Sequence, residues 1–279
     1  MQSIVLAFVM FGAADAALVQ PLPGTALLEE SADFAASMVA GIDRWLMRAI
    51  DASIEAREAF WQRDFASHEA YVESIAPNRE RFSKIIGLKD ERLEPAMEFI
   101  ASPEQSSLIA HGESYEVHAV RWPVFEGVYG EGLLLRPKAE PKAFVVAMGD
   151  CAWRPEMLAG LREGFPPEGQ YARRLAESGC VVVAPTLLNR ECTYAGNPGV
   201  GMTNQPHREF VYRAAYEMGR HVIGYEVHKI LAAVDWFLLQ GDGPVGVIGA
   251  GEGGLLALYA GAVDTRIDAT AVSGYFSPR

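Results

Sequence analysis

The sequence predicts an α/β fold, a mostly parallel sheet with helices on both faces, behind a helical N-terminal stretch. Three observations predict it. Residues 25 to about 100 carry apolar side chains at steps of three and four. After about residue 106 the apolar period shortens to two. From Ala143 onward, short continuously apolar runs alternate with amphipathic ones, the pattern of strands buried on both faces and joined by helices. Half of the 279 residues are apolar and 22% are charged, which is a globular composition. The 36 acidic residues outnumber the 24 basic ones, for a net charge of −12. A nucleic-acid backbone or an anionic membrane would repel such a chain, so neither is expected as a partner. No segment has the ~20 consecutive apolar residues of a membrane span.

The elements follow in order. Ser3 to Gly12 is a short apolar run, and Ala14-Asp15-Ala16 follows it as an A-x-A cleavage pattern. Residues 1–16 therefore read as a secretory signal peptide, which predicts a periplasmic or extracellular protein. The run lacks a preceding Lys or Arg, and a buried N-terminal strand or helix is the other reading. Export would permit one disulfide among Cys151, Cys180 and Cys192. Residues 17–105 are expected as a helical extension. Phe34, Met38, Ile42, Trp45, Leu46 and Ile50 form one stripe, expected to face a core. Phe65, Tyr71, Val72 and Ile75 form a second, broken by Pro77; Phe82, Ile85 and Ile86 form a third, stopped by Gly87.

Residues 106–279 form the α/β part. Strands are expected at Tyr115–Arg121, Val128–Leu135, Ala143–Met148, Cys180–Ala184, Val245–Ile248 and Ile267–Val272. Helices are expected at Gln170–Ser178, over His207–Gln240 as one long or kinked element, and at Gly254–Val263. Residues 189–206 read as a polar loop. In such a sheet, ligands sit beyond the carboxyl ends of the strands.

The run Val245 to Ala257 places a glycine-rich turn between a strand and a helix, and two readings compete. Gly249, Gly251 and Gly254 match the G-x-G-x-x-G dinucleotide fingerprint, which would make the protein an oxidoreductase. The fingerprint normally opens its sheet, and its next strand ends in an acid for the ribose hydroxyls. Here only about 25 residues follow the turn, and the next strand ends Val272-Ser273-Gly274-Tyr275. The other reading is a nucleophile elbow, G-x-S-x-G, with Gly249 and Gly253 at the glycine positions and Gly251 at the serine position.

At this point the chain resembles the α/β-hydrolases, in their dienelactone hydrolase and acetyl xylan esterase-like branch, over roughly residues 79–279. The stretches carrying the resemblance are Gly132–Pro137, Val145–Asp150, Ala172–Pro185, Ala232–Leu238 and Gly253–Ala260, in that order. The resemblance implies a carboxylic-ester hydrolase acting on a small or carbohydrate-linked ester, with no cofactor and no metal. It places the attacking side chain at Gly251. It assigns one oxyanion N–H to Glu252 and the second to the loop near Asp150 or Cys151. It also implies an acid and a histidine later in the chain, whereas the sequence stops at Arg279, just after a strand. Glycine has no side chain with which to attack, and no triad can be assembled. The reading is thus a hydrolase-like protein impaired in catalysis, with the sheet incomplete at its C-terminal side, as expected of a fragment, a truncated reading frame or a degenerate hydrolase. A pseudo-hydrolase that binds a small ligand is the alternative.

Other side chains near the turn offer substitutes for the missing group. Glu252 offers a carboxylate, although an acid at a helix N-terminus is favoured by the dipole alone. Cys151 offers a thiol, with no histidine beside it in sequence. His207 and Arg208 follow the 189–206 loop at the rim of the site, where Arg208 could hold a carboxylate. Trp153 and Tyr194 lie on loops after strand ends and could line a pocket. His221, His228 and Asp235 are spaced by seven and read as one polar helix edge. His111 and His118 lie on early strands and receive no chemistry.

Overall fold

A computed structural model of the chain describes residues 22–26, 33–193 and 205–275. The chain divides into two compact units after Phe60. The division falls there, not near residue 105, because the helices at 68–85 pack into the α/β part, while residues 86–105 are irregular apart from a two-residue strand. The proposed signal peptide lies outside the described residues.

In the first unit, helix α1 (Phe34–Ala56) starts where the Asp33 side chain accepts a hydrogen bond from the Ala36 N–H, 3.1 Å. The expected stripe is present, but it does not face a core. No residue of α1 is buried, and Phe34, Met38, Ile42, Trp45, Leu46 and Ile50 are all exposed, Met38 by 67%. Periodicity located the helix correctly; it carries no information about whether an apolar face finds a partner.

The second unit opens with α2 (His68–Ser74), capped by Ser67, and α3 (Ala76–Ile85). Pro77 sits in the first turn of α3, where its missing N–H is harmless, so it begins a helix as well as following one. Gly87, with φ +77°, ends it. Strands β1 (Glu98–Phe99), β2 (Leu108–His111), β3 (Tyr115–Phe125) and β4 (Val128–Pro137) precede β5 (Ala143–Met148). Helices α4 (Pro155–Leu158) and α5 (Tyr171–Glu177) lead to β6 (Cys180–Pro185). Helices α6 (His207–Glu217) and α7 (Val222–Phe237) follow, separated at Gly219, then β7 (Val245–Ala250), α8 (Glu252–Val263) and β8 (Ala269–Ser273).

The eight strands form one mixed sheet in the order β1-β3-β4-β6-β5-β7-β8, with β2 also paired to β3. The β6-β5-β7-β8 part is parallel, and β1 to β4 join it antiparallel. Helices cover both faces. Val146, Met148 and Val247 pack with Val227, Ile230 and Phe237 of α7 and Leu256 of α8 on one side. On the other, Leu135, Ala147 and Val182 pack with Leu158 of α4 and Ala172 and Ala176 of α5. No described helix is long and apolar enough to cross a membrane.

Helix α7 is the central helix, not a polar edge. His221 caps it, its Nδ1 accepting from the Ile223 N–H at 3.0 Å. Asp235 is bound by Arg92 and Arg266. His228 is buried against Phe125, ring centroids 5.4 Å apart, and neither ring nitrogen has a partner. Burial, helped by nearby Arg92, pushes its pKa down to about 4. The folded protein therefore holds His228 neutral where the unfolded chain, titrating near 6.5, takes up a proton. Stability from this group is full above about pH 6.5 and falls as pH drops toward 4, by about 3 kcal/mol. Urea denaturation across that range should show the loss in the wild type and a flatter profile in His228→Phe.

Candidate active site

Three chain segments meet at the carboxyl ends of β5, β6 and β7. The turn after β7 is built by glycines for a stated reason. A Cβ on Gly253 would lie 2.5 Å from the Met148 carbonyl oxygen at the end of β5, and one on Gly249 would lie 2.6 Å from the Gly254 amide. Strand and helix approach too closely for any side chain at either place. Between them, Gly251 has φ 58° and ψ −125° and stands directly before the first residue of α8. That is the sharp strand-to-helix corner of a nucleophile elbow, in a backbone region where side-chain-bearing residues are strained. The Gly251 N–H is held by the Ser273 carbonyl of β8 at 2.9 Å, and the Gly251 carbonyl accepts from Gly254 N–H at 2.9 Å. Below the corner, the Tyr171 hydroxyl donates to the Met148 carbonyl.

The space above Gly251 is filled. A Cβ there would lie 2.7 Å from Oδ2 of Asp150, in the loop after β5. The same Oδ2 accepts the Glu252 N–H at 3.2 Å, the amide that sequence reading assigned to an oxyanion. Oδ1 accepts from the Ala152 N–H at 3.2 Å and from Arg190 Nη1 at 2.9 Å. Burial works against the charge of Asp150, but the two amides and the Arg190 guanidinium outweigh it and hold its carboxyl below the usual range. Asp150 is thus an anion at neutral pH at the start of α8, favoured by the helix dipole.

From Asp150 the charges alternate inward. Arg190 also reaches Glu252 Oε2 at 3.4 Å. Glu252 Oε1 accepts from Arg208 Nη2 at 2.5 Å, so its carboxylate is tied to two arginines. Arg208 donates further to the Leu188 carbonyl at 2.9 Å and to Glu226 Oε1 at 3.4 Å. Glu226, fully buried in α7, accepts the Leu188 N–H at 2.7 Å and pairs with Lys229. Lys229 in turn donates to the Thr186 carbonyl at 2.8 Å.

The remaining expected residues fall as follows. Cys151 is buried with its Sγ 3.7 Å from Asp150 Oδ1. Burial, with the Asp150 charge, pushes its thiol up to about 11, so it is protonated at neutral pH. All three cysteines are free thiols. Trp153 is half-buried edge-on to Phe165, centroids 4.9 Å apart. With Cys151, Arg154, Asn189 and Arg190 it lines a cavity of about 460 Å³ beside the elbow. His207 Nδ1 is 2.7 Å from Asn189 Oδ1, and Nε2 is 3.2 Å from Thr193, so it braces the loop and does not face Gly251. Tyr194 lies outside the described residues. The described residues contain no cluster of His, Cys, Asp or Glu suited to a metal ion.

Sequence reading brought Gly251, Glu252, Asp150, Cys151 and Arg208 to one place. It missed Arg190, Glu226 and Lys229. Glu226 and Lys229 were detectable in principle, as two charges three apart in an otherwise apolar helical run. Arg190 sits in a polar loop where nothing in the sequence distinguishes it.

This corner, at the end of an inner parallel strand with helices on both sheet faces, defines the α/β-hydrolase fold. No family model matches the chain, and no curated protein matches it significantly in sequence. Solved structures do. A candidate acetyl xylan esterase of Bacteroides fragilis aligns with a TM-score of 0.54 at 16% identity, over 77% of this chain and 57% of its own. A glucuronoyl esterase of Solibacter usitatus aligns at 0.46 and 14% identity, over 72% and 58%. Acetyl xylan esterase 1 of a Thermoanaerobacterium species aligns at 0.43 and 14%, over 70% and 56%. The chain therefore spans little more than half the length of these structures, and its likeness to the first of them is one of fold.

The geometry sets the stability of three variants. Gly253→Ala should destabilise by about 3 kcal/mol or more, because backbone must move. Arg208→Met leaves Glu226 and Glu252 short of a buried partner and should cost about 3–5 kcal/mol. Arg190→Met, at a side chain 52% exposed, should cost under about 1 kcal/mol. Urea denaturation of the three variants measures all three.

Proposed function

We propose that this chain is an ester-hydrolase-like protein in which the elbow does not act as a nucleophile. The observation that carries the reading is the pair Gly251 and Asp150: the corner has its expected conformation, and a neighbouring carboxylate occupies the place of the attacking group and takes the oxyanion amide. A substrate carbonyl approaching this corner meets a negative charge where acyl transfer needs hydrogen-bond donors. Glu252 is engaged by two arginines and Cys151 is a neutral thiol, so neither is poised as a substitute.

The second reading, ligand binding without turnover, is favoured by the cavity beside Trp153. Its volume lies within the range of small-molecule sites. Its lining of Trp153, Arg154, Asn189 and Arg190 suits a polar ring such as a sugar; by analogy with the esterase folds, an acetylated xylo-oligosaccharide is the first ligand to try. The Gly249-Gly251-Gly254 fingerprint gains less from the geometry. The Gly251, Glu252 and Gly254 amides already serve Ser273, Asp150 and Gly251, leaving few donors for a pyrophosphate. Export through residues 1–16 belongs to the same proposal.

The test is p-nitrophenyl acetate hydrolysis by the full chain. The rate should match buffer, and Gly251→Ser alone should not raise it. Turnover that Glu252→Gln or Cys151→Ala abolishes would overturn the proposal. A rise in melting temperature with acetylated xylobiose, without acetate release, is the result expected of a binding protein.

A further inference from the structure

Away from the elbow, α2, α3 and α8 enclose an apolar groove of about 480 Å³. Its walls include Trp61, Tyr71, Phe82, Ile85, Leu258 and Tyr259. Phe82 stands edge-on to Tyr259, centroids 4.8 Å apart. Among the described residues that line the groove, the charged ones are Arg79 and Arg81, and none is a carboxylate. Arg63 adds a third positive charge, stacked over the Trp61 ring at 4.3 Å.

Arg79 is unusual among the arginines of this protein. It is half-buried, and its Nη1 donates to the Ala262 carbonyl near the end of α8 at 2.5 Å. Its Nε is buried without a partner, and it makes no ion pair among the described residues. Three other described arginines that are largely withdrawn from solvent each have a carboxylate. Arg92 pairs with Asp235, Arg208 with Glu226 and Glu252, and Arg220 with Asp90. Acids are not scarce in a chain of net charge −12. A guanidinium withdrawn from water without an anion is costly, and its fork suits a carboxylate. The walls beside it suit hydrocarbon.

We propose that this groove binds an amphiphilic monocarboxylate, its head on Arg79 and its apolar body along Tyr71, Phe82 and Tyr259. The ligand supplies the counter-ion that the described residues do not, and the site is independent of the elbow.

Calorimetric titration of the full chain with decanoate, decanol, decyltrimethylammonium and acetate, each below its micelle concentration, tests it. Quenching of Trp61, assigned with Trp61→Phe, places the ligand. Decanoate should bind roughly tenfold or more tightly than decanol, and acetate should not bind detectably. Arg79→Gln should erase the preference for decanoate over decanol, and Arg79→Lys should keep part of it. Ile85→Glu, at an exposed rim position, should weaken decanoate binding in a fully folded protein, which covers the case of an Arg79 variant that does not fold. Equal binding of the three decyl compounds, no binding of any, or a preference that survives Arg79→Gln would overturn the proposal.

Discussion

Glu226 is a carboxylate with no exposed surface in the central helix of the fold, and the arrangement of the site depends on how its charge is met. Arg208 and Lys229 flank it, and the Leu188 N–H donates to its Oε1. Arg208 must therefore lie under the loop after β6, where its other nitrogen meets Glu252. Glu252 then turns toward the arginines, and Arg190 joins it to Asp150. Each link neutralises the one before it. A buried ion pair gives weak net stability because desolvation opposes it, but removing one member leaves an uncompensated charge. The chain of charges thus fixes geometry more than it adds stability. It ties β5, β6 and β7 to α6, α7 and α8 at the edge where this fold places its chemistry.

The backbone of the elbow persists although the attacking atom is absent. Gly249 and Gly253 are required by the contact between β5, β7 and α8, and that contact belongs to the packing of the sheet. Gly251 keeps φ 58° because the helix must begin at once after the strand. The corner is therefore a property of the architecture, and the chemistry depends on what stands at its tip. Here the tip is bare, and Asp150 Oδ2 stands beside it, on the Glu252 N–H.

Much of this was legible in the sequence. The valine-rich runs at Ala143–Met148 and Cys180–Ala184 became inner strands with nearly the same ends, because continuous apolar runs between turn residues have few other uses. The glycine spacing at 249, 251 and 253 identified the corner through steric need alone. What was not legible depended on partners distant in the chain. The stripe of α1 has the right period but no buried residue. His228 reads as polar and lies in the core. Asp150 could be placed near the elbow from topology, yet its occupation of the Gly251 tip depends on Arg190, forty residues on, in a loop without pattern.

The contact between Asp150 and Gly251 also has an evolutionary reading. Two of the four glycine codons lie one base from a serine codon, so a hydroxyl at 251 is a short mutational step away. With the carboxylate in place, a new side chain at 251 would meet it before any substrate did, and moving the carboxylate away would leave Arg190 and two backbone donors without their acceptor. The two positions are coupled, and the changes must come together. The contact works as a steric lock: the corner keeps its shape, and a side chain added at 251 alone runs into the Asp150 carboxylate.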